Sequence, residues 1–317
     1  MVALVLRRLL QTIPVLVFIS MVVFLTVHLI PGDPALVVAG PDAQPDAIEA
    51  LREKMGLNEP LPVQYGIWMG QILQGDFGVS YTSKYPVARL ISERLPATIE
   101  LTVASLIIAL LLSVPLGVVA ALHHRTRIDI GISVGTTMGL AVPEFWSGLL
   151  FVIVFALLLN WFPPGGRIPF LEDPLGGLRS LTLPALTLAL PVGAAQARFV
   201  RSALLEVLHE QYIQTAHAKG LPARTVVLSH ALRNALIPVV TVVGIQLGKL
   251  LSGAVLVETI FGWPGVGRTM VTALADRDYT TVQGTLLVMV VLFSLVNLAT
   301  DVLYGFLDPR IRRGELV

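Results

Sequence analysis

Five stretches of this sequence contain no Asp, Glu, Lys or Arg: Leu9 to Gly32, Leu101 to His124, Phe145 to Gly166, Ser180 to Ala197 and Tyr279 to Thr300. A bilayer core about 30 Å thick is crossed by roughly 20 apolar residues of α-helix, so each stretch is long enough to cross a membrane. Asn234 to Val257 has the same density of Val, Ile and Leu, interrupted by Lys249, which can pair or snorkel. With 55% hydrophobic and 14% charged residues and a mean hydropathy of +0.78, the chain cannot form a water-soluble globule without leaving large apolar surface outside. The expected fold is therefore an all-α integral membrane protein with six spans.

The spans are placed at about 9–30, 98–122, 131–160, 181–201, 235–257 and 281–304. Ile130 to Pro143 gives the third more residues than one straight crossing needs, so a tilt, a kink at Pro143 or an interfacial segment is expected. Arg7 and Arg8 open like a signal peptide, but the run behind them is too long for an h-region and no A-x-A site follows; it reads as a signal anchor. Arg7, Arg8, Arg125, Arg127, Arg198, Arg201, Lys219, Arg224, Arg233, Arg310, Arg312 and Arg313 fall on one side, against Arg167, Arg179, Arg268 and Arg277 in the short loops opposite. Basic residues accumulate on the cytoplasmic side, which puts both termini and the tail 306–317 in the cytoplasm.

The segment at about 31–97 then lies outside. Its two helical patterns, Asp46 to Met55 and Val63 to Gln74, stop at Gly56 and Gly75, residues suited to C-caps, and suggest a small extracytoplasmic helical cap between spans 1 and 2. Ile48, Leu51 and Met55 share one helical face, a packing pattern, and Tyr65 and Trp263 fall on the same outer side. On the inner side, about 202–234 is the longest stretch of mixed polarity, with Leu204, Leu205, Leu208 and Tyr212 at helical spacing.

Several chemistries are excluded. A net charge of +1 gives no bias toward nucleic acid, and the absence of cysteine rules out disulfides, thiolate metal sites and a cysteine nucleophile. Gly131-Ile132-Ser133-Val134-Gly135 fits G-x-S-x-G but lacks the strand that a nucleophile elbow needs. Continued to Gly139 it reads as a close-packing stripe, a device repeated at Gly244 and Gly248. Gly248-Lys249 is no phosphate loop, because Leu250 replaces the Ser or Thr and no glycine stands five residues earlier. The six histidines show no metal-binding spacing, so neither a metal site nor a catalytic residue is expected. Glu144 falls inside the third span, where an acidic side chain costs on the order of 2.5–3.5 kcal/mol to insert. It either lines a translocation path or pairs with Lys249 of the fifth span.

Six segments in order carry a family resemblance: Arg7-Arg8-Leu9; His28-Leu29-Ile30-Pro31-Gly32-Asp33-Pro34; Gly75-Asp76-Phe77-Gly78; Tyr212 through Leu221; His230 through Pro238; and Glu258 through Gly267. Over almost its whole length the chain resembles the permeases of bacterial ATP-binding cassette (ABC) importers, in the branch that carries dipeptides, oligopeptides, glutathione and nickel. The resemblance implies a type I importer permease fold in the inner membrane and no bond chemistry on this chain. It also implies a second permease, two ATP-binding subunits holding ATP and Mg, and an extracytoplasmic substrate-binding protein. The family's inner loop has the pattern Glu-Ala-Ala, three residues, Gly, nine residues, Ile-x-Leu-Pro; here Gln214, Thr215 and Ala216 fill the first places and Gly220 the glycine. His230-Ala231-Leu232-Arg233 replaces the final element, which is similar to the peptide-permease version. Coupling to an ATPase subunit is thus implied for Gln214, Thr215, Ala216, His217, Ala218, Lys219, Gly220 and Leu221, and contact with the binding protein for Asp76 and Phe77. Peptide is the first choice of substrate, with glutathione and nickel as the alternatives. The rival class, a lone membrane-embedded enzyme or receptor, would act without partners, and a self-sufficient secondary transporter would need an internal inverted repeat that is not apparent.

Overall fold

The computed structural model describes residues 2–29, 34–39, 43–54 and 56–307. Residues 30–33 of the outer motif, Met55, and 308–317 with Arg310, Arg312 and Arg313 lie outside the described residues. Apart from an isolated antiparallel bridge between Val79 and Pro86, regular structure among the described residues is helical. The helices are α1 (Val2–Leu29), α2 (Pro34–Ala39), α3 (Pro45–Lys54), α4 (Leu61–Leu73), α5 (Val87–Leu122), α6 (Arg127–Ala141), α7 (Glu144–Phe151), α8 (Pro174–Leu208), α9 (Gln211–Ala218), α10 (Ala223–Thr225), α11 (Leu232–Ile260), α12 (Val266–Ala275) and α13 (Tyr279–Leu307). Wider π-type turns extend α7 through Val152–Leu158 and join α10 to α11 through Val226–Ala231.

Four helices are long and apolar enough to cross a membrane: α5, α8, α11 from Pro238, and α13 as far as Thr300. Leu10–Thr26 of α1 is a shorter apolar helix. A fifth candidate is a broken one, since α6 and the helix from Glu144 to Leu158 meet at an angle of 101°. The cause is local. Pro143 lacks an N–H and disfavours helical backbone in the residue before it, and Val142 is accordingly extended, with φ −80° and ψ 124°. The described residues therefore support four or five long apolar spans, and of the tilt, kink or interfacial segment expected here the structure has a sharp bend at Pro143.

Helix lengths exceed the uncharged intervals. The 36 residues of α5 make a rod about 54 Å long, well beyond a bilayer core. At the start of α8, Pro174 occupies the first turn, and Asp173 Oδ1 accepts from the backbone N–H groups of Leu175 (3.1 Å) and Gly176 (3.0 Å).

The chain forms two compact units, one of Met1–Arg8, Ile99–Trp263 and Leu295–Val317, the other of Leu9–Thr98 and Pro264–Ser294. In the first, α8 is the hub, packed by α6, α7 and α11, with Leu183, Leu188, Val200 and Leu204 buried. Small residues set the spacing around it, as expected where apolar side chains gain little from leaving lipid. A Cβ on Gly117 would sit 2.6 Å from the carbonyl oxygen of Ala197, and one on Gly139 would sit 3.2 Å from Ala194 Cβ. Gly131 and Gly135 have nothing within 4 Å, so of the expected stripe on α6 only Gly139 packs; the other two lie on an open helix face. Gly244 does meet a neighbour, the side chain of Thr300.

In the second unit Phe24 of α1 stacks on Tyr65 and Trp68 of α4 at centroid distances of 5.6 and 5.8 Å, and Ser20 Oγ shares a 2.8 Å hydrogen bond with the Tyr65 hydroxyl. Gly56 (φ 67°) and Gly75 (φ 82°) hold the left-handed conformation that glycine C-caps adopt. Asp278 fastens the loop before α5 to the start of α13: its carboxylate accepts from Ser80 Oγ (2.5 Å), Tyr81 N (3.2 Å) and Thr281 Oγ1 (2.9 Å).

Candidate functional site

The segment expected to couple to the ATPase is built on a helix with one buried edge. Ile213 and Ala216, three residues apart, fall on one face of α9. They enter an apolar core with Val200, Ala203 and Leu204 of α8, Val226 and Ala231 of the π-type turn, and Ala235 and Val239 of α11. Gln214, Thr215, His217, Ala218, Lys219, Gly220 and Leu221 are exposed. Of the eight residues expected to couple, only Ala216 faces inward, where it anchors the helix that carries the others. Asn234 Nδ2 donates to the Tyr212 hydroxyl at 2.8 Å, tying α9 to α11.

The helix ends through Gly220. Its N–H donates to the carbonyl of His217 (2.9 Å), the N–H of Leu221 donates to that of Ala216 (3.3 Å), and Gly220 itself has a φ of 78°. A Cβ there would meet nothing within 4 Å, so the turn's conformation, and no crowding, calls for glycine.

Glu144 is the first residue of α7, directly after the Pro143 break, and is half-buried. One carboxylate oxygen lies 2.7 Å from where a Cβ on Gly253 would stand, so α11 approaches Glu144 through a glycine. Lys249 sits one turn earlier on α11 and is exposed. The ion pairs among the described residues include none between the two.

The outer loop divides its two candidates. Asp76 is exposed and accepts from the N–H of Gly78 at 2.9 Å, whereas Phe77 is half-buried with Cδ1 3.4 Å from a Cβ position on Gly284 of α13. Gly78 is doubly constrained, with a φ of 77° and a Cβ position 2.7 Å from Thr280 Cγ2. Burial pushes the Tyr81 phenol beside this loop above its ordinary range. Trp263, placed with the outer loops by sequence, has no exposed surface: its N–H donates to the carbonyl of Glu258 at 2.8 Å and its ring fills the interior.

Two ion pairs escaped the sequence reading. Arg201 of α8 grips Asp129 of α6 with two bonds, Nε to Oδ1 at 2.6 Å and Nη2 to Oδ2 at 2.8 Å; the N–H of Arg125 adds a third at 2.9 Å and His124 Nδ1 lies 3.3 Å away. Arg167 bonds Glu100 Oε2 through Nε (3.0 Å) and Nη2 (2.6 Å), while Oε1 is buried without a hydrogen bond. The available signal was a lone acid amid bases, Asp129 after Arg125 and Arg127, and two charges each bordering an uncharged run, Glu100 and Arg167.

A family model described as "Binding-protein-dependent transport system inner membrane component" matches residues 113–313, and its N-terminal counterpart matches residues 1–102. A protein of Brucella abortus (strain 2308) that carries the name of a peptide transport system permease is 43% identical, the alignment covering 98% of this chain and 99% of that one. The glutathione transport system permease protein GsiC of Salmonella typhimurium is 42% identical over 97% of this chain and 98% of its own. A crystal form of the MetNI methionine ABC transporter in an inward-facing conformation aligns with a TM-score of 0.56 at 17% identity, covering 69% of this chain and 96% of that one. An amino acid ABC transporter crystallised with histidines gives 0.50 at 16% identity, covering 70% and 94%. Those two share the fold. This chain belongs to the family of inner-membrane components of binding-protein-dependent transport systems, the permeases of ABC importers.

Proposed function

We propose that this chain is one of two permeases in an ATP-driven importer of peptides, and that the exposed face of α9 receives the ATPase subunit. The observation that carries the proposal is the division of α9 into a buried anchor, Ile213 and Ala216, and a solvent-facing set, Gln214, Thr215, His217, Ala218 and Lys219. A helix held on one side and bare on the other transmits a push from a docked partner into α8 and α11. ATP and Mg belong to the partner subunits, and the closing of their dimer shifts this chain between inward-open and outward-open populations. In this reading α1 is the first span, its 28 residues reaching about 42 Å, and the broken α6–α7 pair is the third, which makes six. The helices α2 to α4 form the outer cap, where Asp76 meets the binding protein, and both termini are cytoplasmic.

Peptide as the substrate is supported by the Brucella relatives, whose names specify peptide transport. Glutathione is the second reading, favoured by the 42% identical relatives named for it. Both carry a free amino group, and Glu144, which forms no ion pair among the described residues, suits that group on either. Proteoliposomes holding the complete complex and its binding protein are expected to accumulate a labelled dipeptide only with ATP inside the ATPase-accessible compartment. Uptake of glutathione that excess dipeptide does not compete would select the second reading, and uptake without ATP would overturn both.

A further inference from the structure

We infer that the start of α6 and the adjoining side of α8 form a binding groove for an anionic phospholipid of the cytoplasmic leaflet. The groove, of about 620 Å³, is lined by His124, Arg125, Asp129 and Arg201 at one end and by Ile130, Val134 and Met138 along its length. The apolar residues recur at intervals of four along one face of α6 and are 59%, 53% and 63% exposed. From Ile130 to Met138 the stripe runs about 12 Å, which matches a good part of one leaflet's hydrocarbon depth. Ser133 and Thr137 line the same face, and both hydroxyls are turned back to the chain: Thr137 donates to the carbonyl of Ser133 at 2.8 Å and Ser133 Oγ lies 3.5 Å from Asp129 Oδ1. The stripe therefore presents its apolar surface outward.

The charge at its head is what selects the occupant. Asp129 is engaged by Arg201 with two bonds, so one acid offsets one base. Arg125 and Arg127 remain, and no carboxylate is paired with either among the described ion pairs. Arg125 has a φ of 63°, a left-handed turn that lifts it out of the helical path at the end of α5. A phosphate group seated at Arg125, with Arg127 two residues further on at the start of α6, would place its acyl chains over Ile130, Val134 and Met138. A partner helix would need acidic residues at one depth to match the same charge, and a zwitterionic lipid would leave it uncompensated. Basic pockets on the cytoplasmic face of a membrane protein recognise anionic headgroups by this charge complementarity, each Arg contributing on the order of 1 kcal/mol.

The placement in the cytoplasmic leaflet rests on the topology proposed above, and the test separates the two. The cysteine-free chain takes a single thiol at Val134 (Val134→Cys), carrying a fluorophore, with Leu111→Cys on α5 as a reference position that is 68% exposed. The complete complex is placed in nanodiscs in which either phosphatidylglycerol or phosphatidylcholine is brominated, and quenching gives the relative affinity of the two headgroups at each position. Phosphatidylglycerol is expected to be preferred at Val134 and not at Leu111. In Arg125→Gln/Arg127→Gln that preference is expected to fall by about 30-fold, the equivalent of two surface charges. Equal quenching by both lipids at Val134, or a preference unchanged in the double variant, overturns the site. So does failure of either lipid to quench together with cross-linking of the same thiol, left without fluorophore in a parallel sample, to the second permease, which would show that protein covers the groove. Headgroup preference does not depend on the leaflet; an error in topology would appear separately, as labelling of Arg125→Cys by an impermeant maleimide in intact cells.

Discussion

Gly220 is held at a φ of 78° with open space around it, so a side chain there strains the backbone without a clash. The left-handed conformation costs an L residue roughly 1–2 kcal/mol, more for a β-branched one. Gly220→Val is expected to cut ATP-driven uptake several-fold while the thermal midpoint of the purified complex moves little, and Gly220→Ala to act in the same direction more weakly. Glu144 yields a different pattern. Glu144→Gln is expected to reduce uptake at normal expression and thermal stability, and Lys249→Met to leave uptake near normal, since the two form no ion pair. Loss of stability in both variants would show that the charges pair in the working complex. Arg201→Met strands a carboxylate that is 6% exposed and is expected to destabilise by about 3 kcal/mol, read as a lowered unfolding midpoint. Asp129→Asn in the same chain should restore much of that loss, because no ion is then left alone.

At the scale of elements, α9 has a buried edge and an exposed face, the face proposed for docking. Ile213 is 1% exposed and packs under α8 and α11, so Ile213→Ala is expected to cost about 2–4 kcal/mol of stability. His217→Trp, on the exposed face, should leave the midpoint unchanged and still lower ATPase stimulation by the binding protein; a normal response would remove His217 from the docking surface. The location of this helix was legible in advance because glycine, proline and small residues punctuate it in a recognisable order. Its burial pattern was less so, since Ala216 and Ala218 look alike in sequence and only the packing of Val226 and Ala231 distinguishes them. The bend between α6 and α7 was legible only as one of three alternatives, a kink at Pro143 beside a tilt or an interfacial segment. The extents of α5 and α8 were not, because a charge-free interval marks the lipid-compatible part of a helix and says nothing about the polar turns that continue it into water. Gly131 and Gly135 misled for a related reason: a glycine pair marks a place where packing is possible, and here the face is open.

For the whole molecule, the apolar intervals predicted a helical membrane protein with six spans, and the described residues carry four helices long and apolar enough to cross a membrane, or five if the pair bent at Pro143 is one span. The charged network around Asp129 was legible only in its local part, His124 and Arg125, because Arg201 meets it only when α6 packs on α8. Trp263 shows the opposite limit, an aromatic residue beside a loop that serves the interior. It is a poor reporter of sidedness, and exposed Asp76 is the better position at which to test the proposed outer side with an introduced thiol. The central claim is that a separate ATPase docks on the bare face of α9, and one cross-linking measurement addresses it most directly. A single thiol at position 217 (His217→Cys), in a complex purified with its partners and competent for ATP-driven uptake, is treated with a short thiol-to-amine cross-linker. The expected result is one covalent product between this chain and the ATPase subunit, and none from a thiol at position 76 (Asp76→Cys). A transport-competent complex in which position 217 labels completely with maleimide and joins no ATPase subunit would contradict it.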